Sequence, residues 1–435
     1  MAQQGVLEIN DCGLRVFSGT AEILESPGVA VVDSHKILVG TAALMRARSN
    51  PTRVHSQFWR RLSLESLNSD NVRCRHHADL AYSQLQDMSN HCDLPDELML
   101  AVPGNFTREQ LALLLGIINE SPVNAVGLVD AATACVGHCA PRGVHLHVEL
   151  QRHQTLVSRV AVHEHAVLDM AETVSDAGLQ SFEDAWARVF TDAFIMQCRF
   201  DPQHSAESEQ QLYDLMPQWV SRAMRQGEVM AELEDRTAKV SLRQLQDAST
   251  PILSRVRALL DNLTEAGSVV FVSHRWADIP AGAQLAERIH LLPHNSIALA
   301  VEKRWHEVHS ETAALRLVTS ISAAPANEVA VQVNAAAEAS ATHLLFGHRA
   351  LAAQQPLFVS WQDGKLSITP TPPKHPAATV TNHAGRLALR VDAGAQLMLN
   401  GQEIAAPVNL NAGDRIGVAD LDEVITAISV ERYGA

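Results

Sequence analysis

Two β-rich blocks separated by strand–helix units, all within the first 320 residues, constrain the fold of this chain more than any other feature. The first block reads as short hairpin-connected strands: "GVLEIND", "GLRVFSG", "GVAVVD" and "HKILVG", leading into a helix-like "TAALMRARS". A polar segment follows, then the buried-looking strand "LMLAVPG" and the apolar helix "NFTREQLALLLGIINES", with Thr107 and Gln110 at capping-box spacing. Strand and helix recur in "NAVGLVD" and "AATACVGHC". The second block, "GVHLHVELQRHQTLVSRVAVHEHAVLDMAE", repeats the style of the first, so the expectation is two related halves around a cleft.

Helices then dominate. In "SFEDAWARVFTDAFIMQ" the residues Phe182, Trp186, Val189, Phe190 and Ala193 follow helical spacing behind the predicted N-cap Ser181, and the aromatic stripe reads as core. Further helices are predicted in "QQLYDLMPQWVSRAMRQ", "SLRQLQDASTPILSRVRALLDNL" and "AGAQLAERI", with a strand in "SVVFVS". The Ala-rich segment 323–342 reads as a linker. Beyond it, strand-like runs divided by Pro, Gly, Asn and Asp predict a small all-β domain.

A net charge of −15 gives no overall attraction to a polyanion, so no nucleic-acid partner is expected. "MAQQGVLEIND" lacks the features of a signal peptide, and no run of about eighteen apolar residues suggests a membrane span. The 6 cysteines are sparse and show no disulfide-framework spacing, which fits a reducing, cytoplasmic location. "CRHH", "HC" and the Cys135, His138, Cys139 group lack the paired spacing of a zinc site, so no metal site is expected.

The order of elements resembles the ATPase domain of DnaK-type heat-shock chaperones, members of the actin-like superfamily, over roughly residues 5–322. The likeness is carried by "SPGVAVVDSHKILVGTAALMRARSNP", by "LAVPGNFTREQLALLLGIINESPVNAVGLVDAATACVG" and by "SVVFVSHRWADIP". It implies an α/β, two-lobed fold binding ATP and magnesium between two β-hairpins whose backbone N–H groups hold the phosphates. The first hairpin, "INDCGLRVF", keeps Asp11 and Gly13, but Leu14 and Arg15 stand where the family carries small hydroxyl residues. In the second, the family's acidic residue falls on Glu149, its triple glycine on Gln151, Arg152 and His153, and its later aspartate on Leu156. The paired glycines of the adenosine turn fall on Ser273 and His274, the catalytic lysine near Arg60 and the connecting glutamate near Asp130. Side chains on a phosphate loop block backbone approach, so hydrolysis is expected to be lost. If the site were active, Asp11, Arg60, Asp130 and Glu149 would be the catalytic candidates. The nucleotide-contacting candidates would be Asp11, Gly13, Glu149, Ser273 and Arg152, the last through its guanidinium.

The segment "GRLALRVDAGAQLMLNGQEIAAPVNLNAGDRIGV" resembles the second half of a forkhead-associated (FHA) domain, with Asn400 and Gly401 in a late turn. The resemblance implies an all-β FHA-like sandwich over 343–435, with Arg349 as phosphopeptide contact and His375 as structural histidine. Pro372 replaces a serine and Ala395 an asparagine of phosphothreonine readers, so phosphate reading is expected to be weak. No Ser-His-Asp order, P-loop or dinucleotide fingerprint is present, and the chaperone family's client-binding module is absent from this sequence. The leading expectation is a non-catalytic scaffold or adaptor subunit that binds protein partners through both modules and holds no cofactor. The alternatives are a divergent ATP–magnesium switch or chaperone-like ATPase, and a phosphothreonine-dependent adaptor.

Overall fold

Continuous apolar runs such as "LMLAV" are what a strand covered on both faces requires, and the computed structural model places Glu97–Val102 in the middle of a six-stranded sheet. The structure describes residues 2–67, 71–265, 267–286, 288–310 and 315–324. Further on it describes 342–346, 349–352, 355–362, 365–373, 376–383, 386–391, 397–399, 402–403, 408–410, 414–418 and 424–428. The chain divides into two compact units, Met1–Val333 and Asn334–Ala435.

In chain order, the first unit opens with β1 (Gln4–Glu8), β2 (Leu14–Ser18), β3 (Ala21–Ser26), β4 (Ala30–Val32), β5 (Ile37–Val39), α1 (Gly40–Leu44) and β6 (Val54–His55). It continues with α2 (His77–His91), β7 (Glu97–Val102), α3 (Arg108–Glu120), β8 (Ala125–Asp130) and α4 (Ala131–Cys139). The second half holds β9 (Gly143–Leu150), β10 (Gln154–Val162), β11 (His165–Ser175), α5 (Leu179–Cys198), α6 (Ala206–Gln226), β12 (Glu228–Leu233), β13 (Arg236–Ser241) and α7 (Leu242–Leu263). It ends with β14 (Val270–Val272), β15 (Ile289–Leu291), α8 (Ser296–Lys303), α9 (Trp305–Val308), β16 (Leu317–Val318) and β17 (Ser320–Ser322).

Five strands of each main sheet share one topology, while the sixth, β16 beside β8 and β17 beside β11, is added at opposite edges. In the first, β1, β2 and β3 form an antiparallel meander, β1 pairs in parallel with β7, and β7 in parallel with β8. In the second, β9, β10 and β11 form the meander, β9 pairs in parallel with β14, and β14 in parallel with β15. Strand alternation divides the buried residues between layers: Leu7, Leu14, Val16, Leu98 and Leu100 enter the core of the first half, while Val6, Phe17, Met99 and Ala101 face a shared layer. That layer is filled by α4 and α8 and by Val160, Val162 and Phe271 from the second sheet. The expected repetition of halves is therefore present as a repeated strand order.

Local predictions held where a cap is local. The Thr107–Gln110 box caps α3 reciprocally, and Phe182, Trp186 and Phe190 are core residues of α5. Three predictions are corrected. α5 begins at Leu179 with Gly178 as N-cap, so Ser181 lies inside the first turn. The helix read in "AGAQLAERI" is only a 3-10 turn, Gly282–Gln284, entered through Ala281 in the left-handed region (φ 66°). The "TAALMRARS" helix is confined to Gly40–Leu44. α2 and the β12–β13 hairpin were not anticipated. Among the described residues, no helix is long and apolar enough to cross a membrane.

In the second unit the described elements are strands, and their pairings are antiparallel. One sheet orders Lys365–Thr369, Leu357–Gln362, Ala378–His383, Arg386–Val391 and Val408–Leu410. Leu344, Ile416 and Ile425 of the other sheet share an apolar core with its Val359, Val380 and Leu389. His375, Ala395, Asn400, Gly401 and most of the 323–342 segment lie outside the described residues.

Candidate functional site

The first hairpin loop is ordered by its own polar side chains. After β1, the backbone N–H groups of Cys12 and Gly13 donate to Asn10 Oδ1 (2.8 Å) and to the Asn10 carbonyl (3.0 Å). That turn aims Asp11 at the second hairpin. Asp11 is buried, and burial raises its pKa above the usual carboxylate value, against the lowering effect of a backbone hydrogen bond and nearby Arg152.

The second loop, Gln151–His153, joins β9 and β10. Gln151 N–H donates to the Gln154 carbonyl (3.0 Å), closing a tight turn. Its backbone meets the first loop directly: Arg152 N–H donates to Asp11 Oδ1 at 2.6 Å. Asn10 Nδ2 donates to Glu149 Oε1 (2.9 Å) and to the Leu150 carbonyl (3.2 Å). Gln151 fills the space beneath, donating to Glu149 Oε1 (3.2 Å) and accepting from Gln154 Nε2 (2.7 Å). From outside, α5 covers the loop, with Leu179 and Gln180 N–H groups each donating at 2.9 Å to the carbonyls of Gln151 and Arg152. His153 Nε2 contacts Ser56 Oγ (2.9 Å) and its carbonyl (3.0 Å), and burial lowers the imidazole pKa to about 4.

The remaining sequence candidates sit around this contact. Burial, reinforced by Glu8, raises Glu149 to about 8. Asp130 caps α4, accepting from Thr133 N–H and Oγ1 at 2.7 Å each, and burial raises it to about 6. Arg60 shares with Asp11 and Gln151 a cavity of about 20 Å³, room for roughly one water. Ser273 Oγ accepts from Leu150 N–H at 3.4 Å. Arg349 belongs to the other unit and is exposed at the start of the strand Arg349–Ala352; exposed Pro372 offers no hydroxyl there. Among the described residues, no group of three or more His, Cys, Asp or Glu is placed to hold a metal ion.

Sequence reading missed the arginines that hold the two halves together. Arg15 is buried, pairs with Glu8, and donates to the His294 carbonyl (2.6 Å). Arg275 donates to Glu25 Oε1 (2.6 Å) and to the Gly13 carbonyl (3.2 Å). At the opposite mouth, Arg48 lies 3.5 Å over the Tyr213 ring and 3.2 Å from Asp184. A signal existed for Arg15: strand alternation puts it on the face of buried Phe17. No protein-family profile and no curated protein sequence matches the chain.

Proposed function

We propose that this chain is a non-catalytic scaffold or adaptor subunit, built from a DnaK-like, actin-like pair of lobes and an FHA-like β-module. The repeated strand order in the two main sheets supports the two-lobed reading. The observation that carries the non-catalytic reading is the 2.6 Å bond from Arg152 N–H to Asp11 Oδ1. In the resemblance, phosphates lie between these two loops; here the Arg152 N–H is taken by Asp11 Oδ1, while Asp11 Oδ2 is buried without a hydrogen-bond partner among the described residues. A nucleotide would have to break that bond before its phosphates could reach the Arg152 N–H, and the Asn10 contacts before they could reach the Cys12 and Gly13 N–H groups. Phosphoryl transfer depends on positioning and electrostatic stabilisation, and the Gln151 and Arg152 N–H groups of the second loop are engaged within the protein. Partners are then proteins, recognised by the outer surfaces of the lobes and by the β-module. Exposed Arg349, with Pro372 in place of a hydroxyl, supports recognition that does not need phosphate.

Isothermal titration with ATP and magnesium, alongside a phosphate-release assay, tests the reading. Neither sub-micromolar binding nor turnover is expected. Tight binding with turnover abolished in Asp11→Ala would favour the nucleotide switch instead.

A further inference from the structure

Beside the closed loops lies a much larger chamber, about 580 Å³, in the size range of small-molecule sites. Val29, Leu44, Met45, Val54 and Pro217 supply apolar wall. Arg152 contributes the under-bonded cation of the wall. Its side chain is 6% exposed, its Nε has no hydrogen-bond partner among the described residues, and the Glu183 carboxylate stands 3.6 Å from Nη2. That separation is an ion pair too long for a hydrogen bond. Of the other charged groups on the wall, Arg48 and Asp214 are hydrogen-bonded, while Glu209 stands only within ion-pair range of Arg48. Arg48 is paired with Asp184 and stacked on Tyr213, Glu209 lies 3.8 Å from Arg48, and Asp214 accepts from Gln210 Nε2 at 2.8 Å.

We propose that this chamber binds a small organic carboxylate with an apolar body, with the Arg152 guanidinium taking the carboxylate. The planar fork of an arginine matches a carboxylate in two parallel hydrogen bonds, and a buried guanidinium whose Nε–H is unpaired is poorly satisfied without one. Burial raises the Glu183 pKa above its usual value, against the lowering effect of Arg152 and Arg48. The apolar wall accounts for the rest of the ligand. The inference goes beyond the proposed scaffold role: it rests on the chamber and on the Arg152 side chain, whose backbone the closed second loop holds in place.

Titration of the full chain with 4-phenylbutanoate, 4-phenylbutylamine and 4-phenylbutanamide compares three heads on one body. The carboxylate is expected to bind at about 1 mM or tighter, and the amine and amide about tenfold more weakly. Arg152→Met keeps the backbone N–H that bonds Asp11 and is expected to weaken the carboxylate about tenfold. Ala47→Trp, which grows a side chain from the chamber wall, is expected to weaken it at least as much and decides the matter should Arg152→Met fail to fold. An amine that binds as tightly as the carboxylate overturns the proposal. So does carboxylate binding that is undetectable at about 10 mM, or that neither variant alters.

Discussion

The loops after β1 and after β9 occupy equivalent places in sheets that share a five-strand topology, yet close backbone approach is arranged differently in each. The first loop carries its own glycine: a Cβ at Gly13 would meet the carboxylate end of Glu25, at 2.3 Å from Oε1. The second loop carries Gln151, Arg152 and His153, and the glycine lies on the segment that covers it. A Cβ at Gly178 would fall 2.3 Å from Gln154 N and 2.5 Å from the Arg152 carbonyl carbon. Close approach to the second loop is therefore made by the protein itself, at the N-terminus of α5. A glycine-free loop in this position can remain a tight hairpin when a neighbouring element supplies the missing small residue. What such a loop loses is a free row of N–H groups.

The comparison makes Gly178 the more consequential glycine. Gly178→Ala puts a methyl against backbone that two interstrand ladders and the α5 contacts hold in place, so a loss of about 3 kcal/mol is expected. Urea denaturation monitored by circular dichroism measures it. A loss below about 1 kcal/mol would mean that α5 can retreat from the loop and that the covering contact is loose.

A pH-dependent effect comes from the carboxylate beneath the loops. Glu149 has a folded-state pKa near 8, well above the ordinary 4.5. The folded state holds the proton more tightly, so this stability is fully present below about pH 4.5 and is lost as pH rises through about 8. Glu149→Gln preserves an oxygen for the Asn10 and Gln151 donors and replaces the protonated oxygen by an amide. The variant should match the parent near pH 5 and then gain on it by about 1.4 kcal/mol per pH unit until about pH 8. Asp130, raised to about 6, gives a slope of the same sign at lower pH in both proteins. Parallel stability curves for parent and variant would show that Glu149 is not the group responsible.

How much of this was legible in the sequence depends on the range of the forces involved. The Thr107–Gln110 box was readable because both its hydrogen bonds span three residues. The start of α5 was not, because the N–H groups of its first residues, Leu179 and Gln180, are satisfied by carbonyls of the distant Gln151–His153 loop, which lets the helix begin before Ser181. α2 was hidden by its composition. Its buried face includes Gln84, which accepts from Trp59 Nε1 (2.8 Å) and donates to Ser26 Oγ (2.8 Å), so a polar residue occupies a core position. The 3-10 turn at Gly282 follows from tertiary contact too, since a Cβ there would lie 2.5 Å from the Trp276 carbonyl oxygen. For the site, the altered loop residues were evident from the sequence. That Asp11 would turn to accept from Arg152 N–H, and that Arg15 and Arg275 would tie the halves together, depends on contacts between segments more than a hundred residues apart.

The smallest expected effect sharpens the comparison most directly. Gly13→Ala meets only a side chain, and Gly13 lies outside the positive-φ region, so no backbone strain opposes the substitution. The cost is that of moving Glu25, whose carboxylate accepts from Arg275 at 2.6 Å while remaining partly exposed. A partly exposed pair of this kind contributes about 1 kcal/mol or less, which bounds the loss expected from Gly13→Ala. Glu25→Ala removes the obstacle, so in that background Gly13→Ala should be close to neutral, and the two substitutions should be non-additive by about the cost of the first. Additive effects would place the strain in the first loop's backbone instead of in the Glu25 contact. The two glycines would then be alike, each protecting a backbone, and the contrast between the hairpins would reduce to which chain segment carries the residue.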